Sequence, residues 1–235
     1  MNNPLLRLTG AVLLIALGIW AGSWVYSARG TAPSHPGVPV AAGQASPPNP
    51  SDLAEGADTD QPLPRAKIPE RLPPFSLADR AGKPTSITSF GGRSLVINFW
   101  ATWCAPCRRE IPLLQALQAE WAGRDTTVVG IAVDHRDSVL EFADRFKMTY
   151  PLLIGEQDAL DAASALGVDS PVFPFTVFTD RRGEIVALFI GELHRPQAEL
   201  ILGEVQNLNQ GRIALPAARQ TIAAGLAQLA AKHVS

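Results

Sequence analysis

The sequence predicts an α/β domain whose mixed sheet is covered by helices on both faces, on three observations. Two apolar runs, residues 95–100 (LVINFW) and 128–133 (VVGIAV), have the length and content of buried strands. Between them Ile111, Leu114, Leu117 and Trp121 recur at helical spacing, which makes one apolar helix face to pack on the sheet. Later, residues 175–179 and 184–190 form a pair of strands joined by the turn Asp180-Arg181-Arg182-Gly183. Residues 137–146 and 158–166 read as further helices, and 197–208 as a closing helix. Alternating strands and helices that end in a hairpin and a helix give a sheet with both parallel and antiparallel pairs. Pro112 lies inside the first helix, where it removes one backbone hydrogen bond and is expected to bend the axis. Residues 216–234 are rich in Ala, Leu and Gln and read as an extra helix on the domain.

The chain ahead of this domain is of two other kinds. Residues 8–26 (LTGAVLLIALGIWAGSWVY) carry no charge and approach the roughly 20 residues that cross a bilayer as a helix. They are read as an anchor, with residues 1–29 as the cytoplasmic end and the span. A cleaved signal peptide competes with this reading, although its small-residue cleavage site is poorly formed. Arg7 and the amino terminus precede the span and Arg29 follows it, which favours a cytoplasmic N-terminus only mildly. Residues 30–66 hold eight of the 20 prolines, and there is no aromatic residue between Tyr26 and Phe75. Such a segment cannot build a core and is expected to be a disordered linker with a reach on the order of 30 to 40 Å. The expected organisation is therefore anchor, linker, a globular domain over 67–212 and a helical tail over 213–235.

Composition excludes some functions. With 20 basic and 22 acidic residues the net charge is −2, which gives no basic field for nucleic acid. The only two cysteines stand in Cys104-Ala105-Pro106-Cys107, so all sulfur chemistry is in one place. Cys104 follows a buried strand and a short turn, which puts it at the first exposed position of the next helix. Unpaired N–H groups and the positive end of the helix dipole favour a thiolate there and lower its pKa from about 8.5 toward 7 or below. A residue three further along shares that face, within the roughly 4.4 to 6.8 Å Cα separation a disulfide needs. Cys104 is then the attacking sulfur and Cys107 the resolving one. A purely structural disulfide gains little from so short a loop. Zinc needs further Cys or His ligands, and His35, His135, His194 and His233 form no cluster in sequence, so no metal is assigned. Copper(I) between the two thiolates stays open as the alternative, a metallochaperone without turnover.

The segments NFWATWCAPCRREIPLL, Val172-Phe173-Pro174-Phe175-Thr176 and Asp180-Arg181-Arg182-Gly183-Glu184 resemble the TlpA/ResA-like branch of the thioredoxin superfamily, over residues 67 to about 210. The resemblance implies a thioredoxin fold with a strand-helix insertion, matched to residues 137–168. It implies a thiol-disulfide oxidoreductase that needs no cofactor, held by one span in a bacterial-type inner membrane with its catalytic domain in the periplasm. Partners of that kind are client proteins with cysteine pairs, as in cytochrome c maturation or copper-site assembly, and a membrane-embedded thiol donor. Residue by residue, Pro174 matches the family's cis-proline, with Pro171 as its rival, and Phe173 becomes the neighbouring wall. Glu110, three residues after Cys107, matches a glutamate near the active site that relays a proton; a solvated helix carboxylate is the other reading. Asn98 stands where many thioredoxins carry a buried aspartate. Trp103 shields Cys104 and offers an apolar surface to substrate. Arg108, Arg109 and His135 are read as exposed side chains. A thiol peroxidase would need a peroxide-activating Thr and Arg around a lone nucleophile, which the paired cysteines fit less well.

Overall fold

The computed structural model describes residues 68–234. The expected anchor at 8–26 and linker at 30–66 lie outside the described residues. No helix among the described residues is long and apolar enough to cross a membrane.

Seven strands form one sheet in the order β2-β1-β5-β4-β3-β6-β7. They are β1 (Ser76–Asp79), β2 (Pro84–Ser86), β3 (Ser94–Trp100), β4 (Thr126–Val133), β5 (Leu152–Gly155), β6 (Phe175–Thr179) and β7 (Ile185–Ile190). The helices are α1 (Ala105–Trp121), α2 (Arg136–Arg145), α3 (Gln157–Ala165), α4 (Arg195–Asn209) and α5 (Leu215–Val234). β3, β4 and β5 run parallel, because α1 and α2 cross over between them. β6 pairs antiparallel with β3, and β7 returns antiparallel to β6 through the Asp180 turn, where Gly183 takes φ +78°. This is a thioredoxin-like fold, and residues 137–168, expected as a strand-helix element, lie in α2, β5 and α3 and the turn that follows. Neither β5 nor the β1-β2 hairpin stands out in sequence, since each has only four residues or fewer.

Every residue of β3 and β4 is buried, as expected of central strands covered on both faces. On one face Val96, Trp100, Val128 and Ala132 pack against Ile111, Leu114 and Leu117 of α1, Phe142 of α2 and Ile201 of α4. The other face packs Ile97, Phe99, Val129 and Ile131 against Ala159, Ala162 and Ala163 of α3. α1 runs unbroken through Pro112. α5 joins the first face through Ala218 and Ile222, and the Arg219 guanidinium donates to the Ile185 carbonyl on edge strand β7 at 2.5 Å. An edge strand left open is a template for pairing with another chain, and this helix covers part of it.

Gly130 of β4, paired with Asn98 of β3, is closely packed. A Cβ there would lie 2.7 Å from Leu152 Cδ2, 2.9 Å from Tyr150 Cε2 and 3.1 Å from Trp100 Nε1. Gly130→Ala is expected to destabilise the full chain by about 1–3 kcal/mol through overpacking. The midpoint of urea unfolding measures this, and an unchanged midpoint would mean that the Tyr150 and Leu152 side chains yield freely.

Candidate active site

The site forms where β3 ends and α1 begins. Thr102 N–H donates to Asp134 Oδ2 at 3.1 Å, and the Thr102 hydroxyl donates to the same oxygen. Asp134 follows β4 directly, so the neighbouring strand braces the turn that carries Trp103 into the helix. Cys104 is the N-cap of α1, with extended backbone (φ −79°, ψ 109°), and Cys107 N–H donates to its Sγ at 3.3 Å. A sulfur thus takes the place of the usual Ser, Thr or Asp oxygen. Pro106 lies in the first turn, where its missing N–H leaves no helical bond unmade. The two cysteines are joined as a disulfide with Cα atoms 5.3 Å apart. Once the bond opens, the same N–H and the helix dipole favour negative charge on Cys104.

One expectation needs correcting. Cys104 is not at an exposed position: it is 5% accessible, and Cys107 is fully buried. Trp103, 68% accessible, carries the exposure instead. The Trp103 ring meets Phe173 edge-on at 6.2 Å. The Phe173-Pro174 peptide is cis and Pro171 is not in a cis bond; the Trp103 contact sets Phe173 beside the turn that carries Cys104. Val172, also 68% accessible, extends this apolar rim.

Glu110 is the sixth residue of α1, past the first turn, and is only 2% accessible. The solvated-carboxylate reading therefore does not hold. It lies one helical turn after Cys107 on the same side of the helix. Its Oε1 accepts from Asn98 Nδ2 at 2.7 Å, and its Oε2 accepts from Leu193 N–H at 2.8 Å. Asn98 Nδ2 also donates to Thr176 Oγ1 at 3.1 Å, so β3, β6 and α1 meet in one polar cluster. Burial pushes the Glu110 carboxyl from its ordinary value near 4.5 up to about 7; the Leu193 and Asn98 bonds oppose this, and the Glu192 charge adds to it. Tyr150 is buried close by, and burial, with the Glu110 charge, holds its phenol far above the usual range.

The remaining charges are placed as follows. The Arg108 guanidinium lies over the Phe142 ring at 5.8 Å. Arg109 is not a free surface charge, because it binds Glu192 through Nε and Nη2 at 2.5 to 3.1 Å. His135 pairs with Glu156 at 3.1 Å, and both are exposed. Among the described residues no group of three or more His, Cys, Asp or Glu side chains is placed to hold a metal ion. Sequence reasoning missed Asp134, Tyr150, Glu192 and the Leu193 N–H. Only Asp134 left a signal, as the acidic end of a buried strand; a backbone donor leaves none.

Because the folded chain holds the Glu110 proton more tightly than the unfolded one, this group stabilises the fold fully below about pH 4.5. That contribution is lost as pH rises through about 7. The difference amounts to at most roughly 3 kcal/mol over the window. In the disulfide-closed protein, stability should fall between these limits, and Glu110→Gln should flatten the fall. Urea unfolding at a series of pH values measures it; an equal slope in the variant would place the proton elsewhere.

Comparison with known proteins agrees with this geometry. Residues 68–188 match the AhpC/TSA family. The thioredoxin-like protein YneN of Bacillus subtilis is 32% identical over 136 residues, covering 55% of this chain and 75% of that protein. The thiol-disulfide oxidoreductase ResA of Geobacillus kaustophilus is 30% identical over 135 residues, covering 57% and 75% respectively. Among solved structures, a secreted thiol-disulfide isomerase from Corynebacterium glutamicum superposes with a TM-score of 0.53 at 26% identity, covering 58% of this chain and 85% of that one. A dithiol at a capped helix start, in a thioredoxin-like fold and with these relatives, places the chain in the AhpC/TSA family as a thiol-disulfide oxidoreductase of the ResA type.

Proposed function

We propose that the chain is a membrane-tethered, extracytoplasmic reductase of client disulfides, with Cys104 attacking, Cys107 resolving and Glu110 taking the proton that Cys107 loses. The observation that carries this reading is a buried carboxyl that titrates near neutrality one helical turn from a buried cysteine. In the forward direction the Cys104 thiolate attacks one sulfur of a client disulfide, and the other client sulfur leaves as a thiolate. Cys107 then loses its proton to the Glu110 carboxylate and attacks Cys104 Sγ, which closes the protein disulfide and releases the second client thiolate. Two electrons pass to the client, and a membrane-embedded dithiol donor restores Cys104 and Cys107. A group with a pKa of about 7 is matched to accept and return that proton at neutral pH.

Trp103, Phe173 and Pro174 are the client-facing residues in this reading. The exposed Trp103 indole meets Phe173 edge-on at 6.2 Å, and in this reading an extended client segment lies along that apolar rim. Cysteine pairs of apocytochrome c or of copper-site proteins are the proposed clients. The membrane tether is proposed from the sequence reading of residues 8–26, and the reductive direction from the resemblance of the dithiol segment; the name of the ResA relatives supports thiol-disulfide exchange.

Two experiments test the proposal. Disulfide reduction by Cys104→Ser is expected to fall to background, while Cys107→Ser accumulates a mixed disulfide that identifies the client. Undiminished turnover in both variants would reject the enzyme, and copper(I) binding without turnover would favour the metal-holding alternative. Separately, alkaline phosphatase fused after residue 29 should be active in a bacterial host. Activity only of a cytoplasmic reporter at that point would reverse the orientation.

A further inference from the structure

Three residues between β7 and α4 tie together the chain at Pro174 and the carboxyl of Glu110. Gly191 N–H donates to the carbonyl of Pro174 at 2.8 Å. Leu193 N–H donates to Glu110 Oε2 at 2.8 Å. The side chain between them, Glu192, does not face open water: it is 19% accessible and is gripped by Arg109 Nε at 2.9 Å and Nη2 at 2.5 Å. Arg109 is the immediate neighbour of Glu110 on α1. The helix that carries the carboxyl therefore also holds the loop that supplies its backbone donor.

We propose that Arg109 and Glu192 are positioning residues for the resolving step, forming a clamp that keeps the loop of residues 191–193 seated against Glu110 and Pro174. An isolated N–H donor on a connecting loop is only as well aimed as the loop is held. Gly191 sits at φ +107°, a conformation open chiefly to glycine, so the loop has a pivot at its start. A guanidinium fork on a carboxylate fixes direction as well as distance, which a single ammonium contact does not. The clamp also matters electrostatically. A cleft lined by Arg109, Glu110, Glu192, Leu193, His194 and Arg195 opens beside the carboxyl. Groups facing Glu110 from elsewhere are Asn98 of β3 and Tyr150 ahead of β5. Of these, Glu192 is the one carboxylate that acts on Glu110 through its charge, and Arg109 neutralises it.

Releasing the clamp has two effects of the same sign. The Leu193 bond loosens, and the Glu192 charge is no longer balanced. Both keep Glu110 protonated to higher pH, so less carboxylate is ready to take the Cys107 proton at neutral pH.

This inference rests on Glu110 as the proton carrier, and the test separates the two. The full-length chain is reduced and mixed with the disulfide of 2-nitro-5-thiobenzoate in stopped flow. Attack by Cys104 releases one thiobenzoate and leaves the other joined to Cys104. Attack by Cys107 then closes the protein disulfide and releases the second, so the slower release reports the resolving step. In wild type the second release should rise through a midpoint near pH 7, and Glu110→Gln should slow it and remove that midpoint. Arg109→Gln is expected to move the midpoint up by about 0.5 to 1 pH unit, a loss of roughly three- to tenfold in rate below it. Glu192→Gln should move it up by less, because it loosens the loop yet removes a repelling charge, and Arg109→Lys should recover part of the shift. If Glu110→Gln keeps the wild-type profile, both the proton-carrier reading and the clamp fall. If Glu110→Gln loses the midpoint but Arg109→Gln and Glu192→Gln superpose on wild type, the clamp alone falls. A slowing by Arg109→Gln that persists unchanged in the Glu110→Gln background also overturns the clamp.

Discussion

A helix that starts where a buried strand stops, with a sulfur as its cap, is the constraint on which the rest of this molecule depends. β3 is buried along all seven residues and held by β4 on one side and β6 on the other, so its end has little freedom. Asp134 then fixes the turn through Thr102. α1 must begin within a few residues, and its first N–H groups need an acceptor. Cys104 Sγ provides one, through the Cys107 N–H. The bond that caps the helix is thus also the bond that favours a thiolate when the disulfide opens, so reactivity here does not require a separate device.

A second consequence follows from burying the resolving sulfur. Cys107 has no contact with solvent, and a thiol that must lose a proton there needs a nearby group to take it. Glu110 is placed for that, at a cost. An ionised carboxylate taken out of water loses several kcal/mol of solvation, and each hydrogen bond to it returns roughly 1.5–3 kcal/mol. Two such bonds, from Asn98 and Leu193, offset part of the loss, which leaves the group balanced near neutrality rather than permanently neutral or permanently charged. Asn98 matters here as an amide. It donates to the carboxylate without adding a second acid beside it.

The surface around the dithiol is apolar where it faces outward and charged only beside it. Trp103, Phe173 and Val172 form the rim, with Arg108 laid over Phe142 and Arg109 engaged with Glu192. Two arginines that follow the second cysteine directly in sequence are therefore committed to intramolecular partners. Exposed ion pairs of this sort add little to stability, about 0.2–1 kcal/mol, so their interest lies in what they hold in place.

Much of the fold was legible in the residues themselves. Apolar runs and helical spacing located β3, β4, α1 and the β6-β7 hairpin, because strands covered on both faces read as continuous apolar runs and a helix with one buried face repeats every 3.6 residues. The short edge strands β1 and β2 and the inserted β5 were not legible, since four residues or fewer hold too little pattern and their pairing partners lie far along the chain. The same division runs through the site. The Cys104 and Cys107 pair could be read because a three-residue spacing and a strand-to-helix junction are local properties. The accessibility of Cys104 was misjudged for want of the surrounding packing. What the carboxyl of Glu110 does was decided only by tertiary structure, because its donors stand 12 and 83 residues away in sequence and one of them is a backbone N–H that any residue would carry. Periodicity fixes which face a residue takes, whereas desolvation depends on everything that packs over that face, and only the folded chain brings those groups together.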